Sequence, residues 1–381
     1  MSNHRWIAIF IGLLLSLLAL SACTGPPPIR GWSGFAIDKN TLYLGAMDGR
    51  ILGLSQTGRI QNLNFPAQGE WEFTPRVTVR SSGLGCAPAP TTSATYGTPG
   101  LSGDLVYVAT YEGKVMAIAA QTGSLRWVYP RETGEHLGNI VGAPVVTGET
   151  LYVASSDGKL YAFDTTYGDR RWEFATSGRI WATPVVSGDI VYTGNFEGDG
   201  YAISAKDGKL VWSIKAGAAV ASVSAGKTGP VLFGLFNNQL HAFDPRNGSP
   251  QWQFQGGNWF WAPPLVSDGT VFAPCLDGSL YAIDAASGRQ LWKYDAGSQL
   301  DSSPLLYSDK LVVVSQVGDI HLVNVKDGSE AKKIALGAEV QAPPAISGDM
   351  LFVHARTQWA YGINLKSGEV VWKFNTTPPA R

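Results

Sequence analysis

Hydrophobic and polar positions alternate along this chain in short bursts, and no window carries a convincing helical stripe. Between residues 182 and 214, four runs are rich in β-branched or aromatic residues: Ala182–Val186, Ile190–Thr193, Gly200–Ile203 and Leu210–Ile214. Ser187-Gly188-Asp189, Glu197-Gly198-Asp199 and Asp207-Gly208 separate them. Short runs bounded by Gly, Asp and Ser predict strands joined by tight turns. Asp-Gly pairs such as Asp157-Gly158 and Asp277-Gly278 supply the positive-φ positions that hairpins need.

This unit repeats. A turn glycine recurs at Gly58, Gly123, Gly168, Gly208, Gly248, Gly288, Gly328 and Gly368, at intervals of 65, 45, 40, 40, 40, 40 and 40 residues. Four residues later stands Trp127, Trp172, Trp212, Trp252, Trp292 or Trp372, whereas Asn62 and Lys332 hold that place in the other two copies. Proline keeps register at Pro99, Pro144, Pro184, Pro264, Pro304 and Pro344, with Ser224 replacing it once. Four strands repeated every ~40 residues are the pattern of a propeller blade. A blade cannot bury both faces alone, so its neighbours must stack around a ring. The expected fold is all-β: an eight-bladed β-propeller of four-stranded antiparallel blades over residues 32–376.

The ring gives the 13 tryptophans a purpose. On the outer strand of one blade, an indole can lie against the next. Burying ~150–250 Å² per Trp contributes roughly 4–6 kcal/mol gross, an upper bound.

The stretch Leu280–Asp284, Gly288, Leu291-Trp292, echoed in Leu160–Asp164, Gly168 and Trp172, resembles the pyrroloquinoline quinone (PQQ) repeat with its tryptophan-docking motif. The resemblance covers residues 31 to 376 or so. Enzymes of that superfamily use adjacent cysteines beneath the quinone and Glu, Asn and Asp around Ca²⁺. This chain has no Cys-Cys pair, so no residue carries over, and neither catalysis nor a bound quinone is expected.

The N-terminus adds a location. Arg5 precedes an apolar stretch, Ile7–Leu20, broken only by Gly12 and Ser16. This is the layout of a secretory signal, and it falls short of the ~20 residues that span a bilayer. Leu20-Ser21-Ala22-Cys23 resembles the bacterial lipobox, which implies removal of residues 1–22 and acylation of Cys23. Each buried CH₂ adds ~0.8 kcal/mol, so two or three chains hold firmly. Residues 23–31, with Pro26-Pro27-Pro28, read as a semi-rigid tether, and 377–381 as a short tail. The domain is thus expected outside the cytoplasm, lipid-anchored to a bacterial membrane. Thr24 after the cysteine is compatible with export to an outer membrane; a cell with one membrane would carry the protein on its outer leaflet. A lipobox followed by eight blades and no further domain is similar to the outer-membrane protein assembly factor family BamB.

A formal charge of −1 with no charged block sets nucleic-acid binding aside. Gly226-Lys227-Thr228 loosely matches a phosphate loop, but it falls in the register of the turn at Gly188, where no helix opens. The five histidines (His4, His136, His241, His321, His354) form no zinc spacing. Asp164, Asp244 and Asp284 recur at one place in the repeat, which marks turn capping rather than catalysis. No G-x-S-x-G elbow exists. An oxidising compartment permits a Cys86–Cys275 disulfide, although no spacing pattern indicates one.

Blade topology selects a face. In an up-and-down blade, the second turn and the link to the next blade share one end, and the first and third turns share the other. Both long intervals are assigned to links: residues 66–95, with Trp71, Arg76, Arg80 and Cys86, and a second loop with Arg131, Glu132, Glu135 and His136. Other links bring Arg179, Trp181, Trp259, Phe260, Trp261, Asp301 and Gln341 to this face. Second turns add Tyr111, Phe196, Arg356 and Trp359. Such an aromatic and Arg-rich rim suits a protein or peptide partner; alternatively, several of these aromatics plug the funnel mouth. The expected function is an envelope scaffold or adaptor, a monomer within a larger complex. The alternatives are a funnel that binds a small ligand or glycan, and a PQQ-dependent dehydrogenase.

Overall fold

The computed structural model describes residues 31–58, 65–77, 91–132 and 137–377. Expectations for the signal segment, Cys23, most of the tether, Asn62, Arg80, Cys86, Glu135 and His136 lie outside these residues. The described residues contain no helix. They form eight four-stranded sheets, each with its strands in chain order, plus a two-stranded pair, Arg76–Val77 with Thr91–Thr92.

Blade 4 shows the unit. Its strands are Val185–Ser187, Ile190–Gly194, Asp199–Ser204 and Leu210–Lys215. The register places Tyr192 opposite Ala202, and Ala202 opposite Trp212. A bulge between Ala202 and Ile203 follows, and equivalent irregularities recur in the third-to-fourth strand pairs of blades 3, 5, 6, 7 and 8. The two middle strands are buried while the fourth alternates, as expected where sheets stack and only the outer edge meets water.

The apolar core lies between blades. Tyr192, Ala202 and Trp212 of blade 4 pack against Val223, Val231, Phe233 and Phe243 of blade 5. Each docking indole also donates to a carbonyl in the third turn of the following blade. Trp127 Nε1 reaches Thr165 O at 2.9 Å, Trp172 reaches Ala205 O at 3.1 Å, and Trp212 reaches Pro245 O at 2.9 Å. Trp252 and Trp292 reach Ala285 O and Val325 O in the same way. The turn glycine lies against the indole face: a Cβ on Gly168 would stand 2.5 Å from Trp127 ring atoms. A buried tyrosine on the second strand often shares the carbonyl, as Tyr107 does at Thr165 and Tyr192 at Pro245.

Blade 1 corrects the assignment of residues 66–95 to a link. Trp71–Phe73 is the fourth strand of that blade, so the link begins only after Phe73, and part of the extra length falls before Trp71, between the third and fourth strands. Trp71 is a further docking indole, with Nε1 donating to Ala120 O at 2.7 Å and its ring against Gly123. Counting four residues from Gly58 missed it because the insertion separates glycine from tryptophan. In blade 7, Lys332 takes the indole's place, and its Nζ donates to Leu365 O and Lys366 O at 3.3 and 2.7 Å.

The ring closes without exchanging strands. Blades 1 and 8 are each contiguous in sequence, and Phe35, Leu42 and Leu52 pack on Phe352, Trp372 and Phe374. Trp372 Nε1 donates to Ser55 O at 3.0 Å, and Arg50 donates to Thr376 O at 2.6 Å. His354 is buried in this seam, with Nδ1 near Ser33 O and Nε2 near Thr376 Oγ1. Burial pushes its pKa down to about 4. A histidine kept neutral in the fold but protonated in the unfolded chain stabilises fully above pH ~6.5, and this contribution is lost as pH falls toward 4. Lowering pH from 8 to 5 should therefore remove about 2 kcal/mol through this residue. Urea titration should show His354→Gln losing less by that amount; equal losses in both proteins would remove the assignment.

Candidate functional site

Backbone hydrogen bonds identify the two ends of the ring. Each second turn is tied to the link entering its own blade: Tyr111 N donates to Ala94 O, Phe196 N to Arg179 O, Phe236 N to Ala219 O and Leu276 N to Trp259 O. At the opposite end, third turns are tied to first turns, as in Ala205 N to Asp189 O and Leu365 N to Asp349 O. That second end carries surface ion pairs such as Lys366–Asp349 and Arg171–Glu149.

The link end carries an aromatic arc over blades 4 to 6. Trp181 meets Phe196 with ring centroids 4.7 Å apart, Phe196 meets Phe236 at 5.5 Å, and Phe236 meets Trp259 at 4.9 Å and Trp261 at 5.9 Å. Trp181 and Trp259 remain 36% and 40% exposed despite these contacts. Three of these four contacts are edge to face, an arrangement aromatic pairs prefer, and Phe196–Phe236 is tilted at 41°. The rings are held by hydrogen-bonded turns rather than by long free loops. Arg179 is exposed beside the arc.

The structure separates the other named residues. Phe260 is a correction: it is fully buried, packed on Phe254 and Tyr281 in the blade core, and presents nothing to a partner. In Asn258-Trp-Phe-Trp261 adjacent side chains diverge, so the ring between two surface tryptophans points inward. Trp359 opens the third strand of blade 8 and lies beneath Lys373 Nζ, 4.1 Å from its ring centroid, away from the arc. Arg131 turns to the third turn of blade 3, bonding Tyr167 O and Asp169, and so leaves the link face. Arg356 stays on that face, paired with Glu339 at 3.2 Å. It lines a cavity of about 220 Å³ with Trp32, Met47, Gln341 and His354.

On the axis, a cavity of about 170 Å³ draws lining from all eight blades. Its aromatic members are Trp32, Tyr96, Trp181 and Trp261, and its one charged member is Asp301. Burial raises the Asp301 carboxyl to about 7. Tyr96 is also raised, by burial and then by Tyr111 and Glu112. Sequence reasoning did not single out Trp32, Tyr96 or Phe236. The signal was present, because Tyr96, Trp181, Trp261 and Asp301 each stand three residues before the register proline.

No metal-binding group of three His, Cys, Asp or Glu side chains occurs among the described residues. Cys275 is a buried free thiol donating to Asn258 O, and burial raises its pKa to about 11. The axial lining does not fit PQQ, a polyanion: it offers a carboxylate and no cationic side chain.

Eight blades around a narrow axis, seven of them locked by a tryptophan and one by Lys332, define a propeller of the PQQ-repeat class. The profile described as outer membrane protein assembly factor BamB matches residues 69–225, 217–336 and 276–381, and the chain belongs to that family. Among solved structures it is similar to BamB from Moraxella catarrhalis, with 17% identity and a TM-score of 0.64 over 85% of this chain and 91% of that one. It is also similar to the computationally designed Ika8 protein, with 14% identity and a TM-score of 0.69 over 86% and 94%. A search of curated protein sequences found no match.

Proposed function

We propose that this chain is a lipid-anchored adaptor of outer-membrane protein assembly. In this reading residues 1–22 are removed, Cys23 carries the acyl chains, residues 23–31 tether the ring, and the link face holds a partner protein of the assembly machinery. The observation that carries it is the arc of Trp181, Phe196, Phe236, Trp259 and Trp261. Exposed tryptophans held in place by their neighbours lose little side-chain freedom on binding, which is the character of an interface hot spot. Family membership supports a partner from the outer-membrane assembly machinery.

Two substitutions test the two halves. Cys23→Ser should move the protein from the membrane to the soluble fraction, since anchoring then rests on no acyl chain. Trp181→Ala/Trp259→Ala should leave it on the membrane but reduce co-purification of outer-membrane assembly proteins at least tenfold. Unchanged recovery of those proteins would refute the docking face, and a Cys23→Ser protein still on membranes would refute the anchor.

A further inference from the structure

We propose that the axial cavity is a binding site for a guanidinium group, held by the Asp301 carboxylate between the aromatic faces of Trp181 and Trp261. The site lies beneath the arc and does not depend on the adaptor reading.

Asp301 lines the cavity and makes no ion pair among the described residues; its carboxylate meets only its own backbone N–H. A carboxylate with no cationic partner therefore stands in a site whose aromatic lining is Trp32, Tyr96, Trp181 and Trp261, and a buried carboxylate demands a cation. The walls point to the kind of cation. Indole faces attract positive charge, and a guanidinium both stacks on them and offers a fork of N–H donors to a carboxylate. An ammonium without N–H donors would use the rings but give the Asp301 carboxylate no hydrogen bond. Size agrees, because a cavity of roughly 150 Å³ admits one benzene-sized group, and this one measures about 170 Å³.

The ionisation of Asp301 then becomes coupled to binding. The other ionisable group on the lining is Tyr96, raised and thus neutral near pH 7. In the neighbouring cavity His354 stays neutral until pH approaches 4. Only Asp301 changes charge between pH 8 and 6, so affinity should fall several-fold, up to about tenfold, across that interval.

The test uses the full propeller and three probes followed by indole NMR shifts: agmatine, the blocked peptide acetyl-Gly-Arg-Gly-amide, and tetramethylammonium. Agmatine or the peptide should bind at least tenfold more tightly than tetramethylammonium, with the pH dependence just given. Tighter agmatine identifies a free small molecule as the source, and a tighter peptide identifies an arginine side chain of a partner. Asp301→Asn should weaken binding at least tenfold without lowering the melting temperature, because it removes a desolvated acid. Trp261→Leu, checked for folding in the same way, should also weaken it. Failure of both guanidinium probes to bind, equal binding of tetramethylammonium, or undiminished binding by folded Asp301→Asn would overturn the proposal. None of these results bears on partner recovery by the Trp181/Trp259 variant, so the two readings fail separately.

Discussion

Trp212→Ala is expected to lower the unfolding free energy by about 3–5 kcal/mol, the range for truncating a large buried aromatic. The indole is 7% exposed and belongs to the core shared by blades 4 and 5. Its loss opens a void against Gly248 and leaves Pro245 O with Tyr192 OH at 3.2 Å as its remaining side-chain donor. Equilibrium urea unfolding of wild type and variant measures the difference, and a change under 1 kcal/mol would remove the inter-blade docking role. The same measurement on Lys332→Trp asks whether blade 7 gains from an indole. The lysine already satisfies the Leu365 carbonyl, so the expected change is small.

Gly168→Val should be comparably damaging, for two separable reasons. The residue has φ +72°, a region that β-branched side chains avoid. A Cβ there would also stand 2.5 Å from Trp127 Cδ2 and Cε3. Backbone strain and overpacking each cost about 1–3 kcal/mol, for a combined loss of roughly 3–5 kcal/mol. Gly188→Val isolates the first term, because Gly188 has φ +59° and open space around its Cβ position. Urea midpoints should fall much further for the Gly168 variant. Equal losses would mean that contact between turn and indole contributes nothing.

Much of this architecture was legible before any coordinates. A fixed interval between glycine, tryptophan and proline reports a repeated unit, and a repeat reveals what a single motif cannot. Asp164, whose carboxylate accepts backbone N–H groups of Thr166 and Tyr167, caps its turn as the repeat implied. The two ends of each blade also followed from counting turns. Legibility failed where an insertion broke the count. Trp71 does the work of a docking indole, yet its distance from Gly58 disguised it. It failed again where neighbouring residues diverge. Trp259, Phe260 and Trp261 look alike in sequence, but the middle ring faces the core while its neighbours face the rim and the axis. The axial cavity was the least visible feature, because its lining converges from eight remote segments, each contributing one to three residues. Only the closed ring brings Trp32 and Asp301 into one site.

The arc and the axial cavity share residues, since Trp181 and Trp261 brace Phe196 and Phe236 while walling the cavity below. A partner that displaced those indoles would alter the cavity, and a filled cavity would stiffen the arc.

Site-specific photo-cross-linking in cells tests the adaptor account most directly, with the photoreactive residue placed at Phe196, at Trp259, or at Lys209 on the opposite end. Adducts with an outer-membrane assembly protein should form from positions 196 and 259 and be absent from 209. The same adducts from position 209, or none from the arc, would contradict the account.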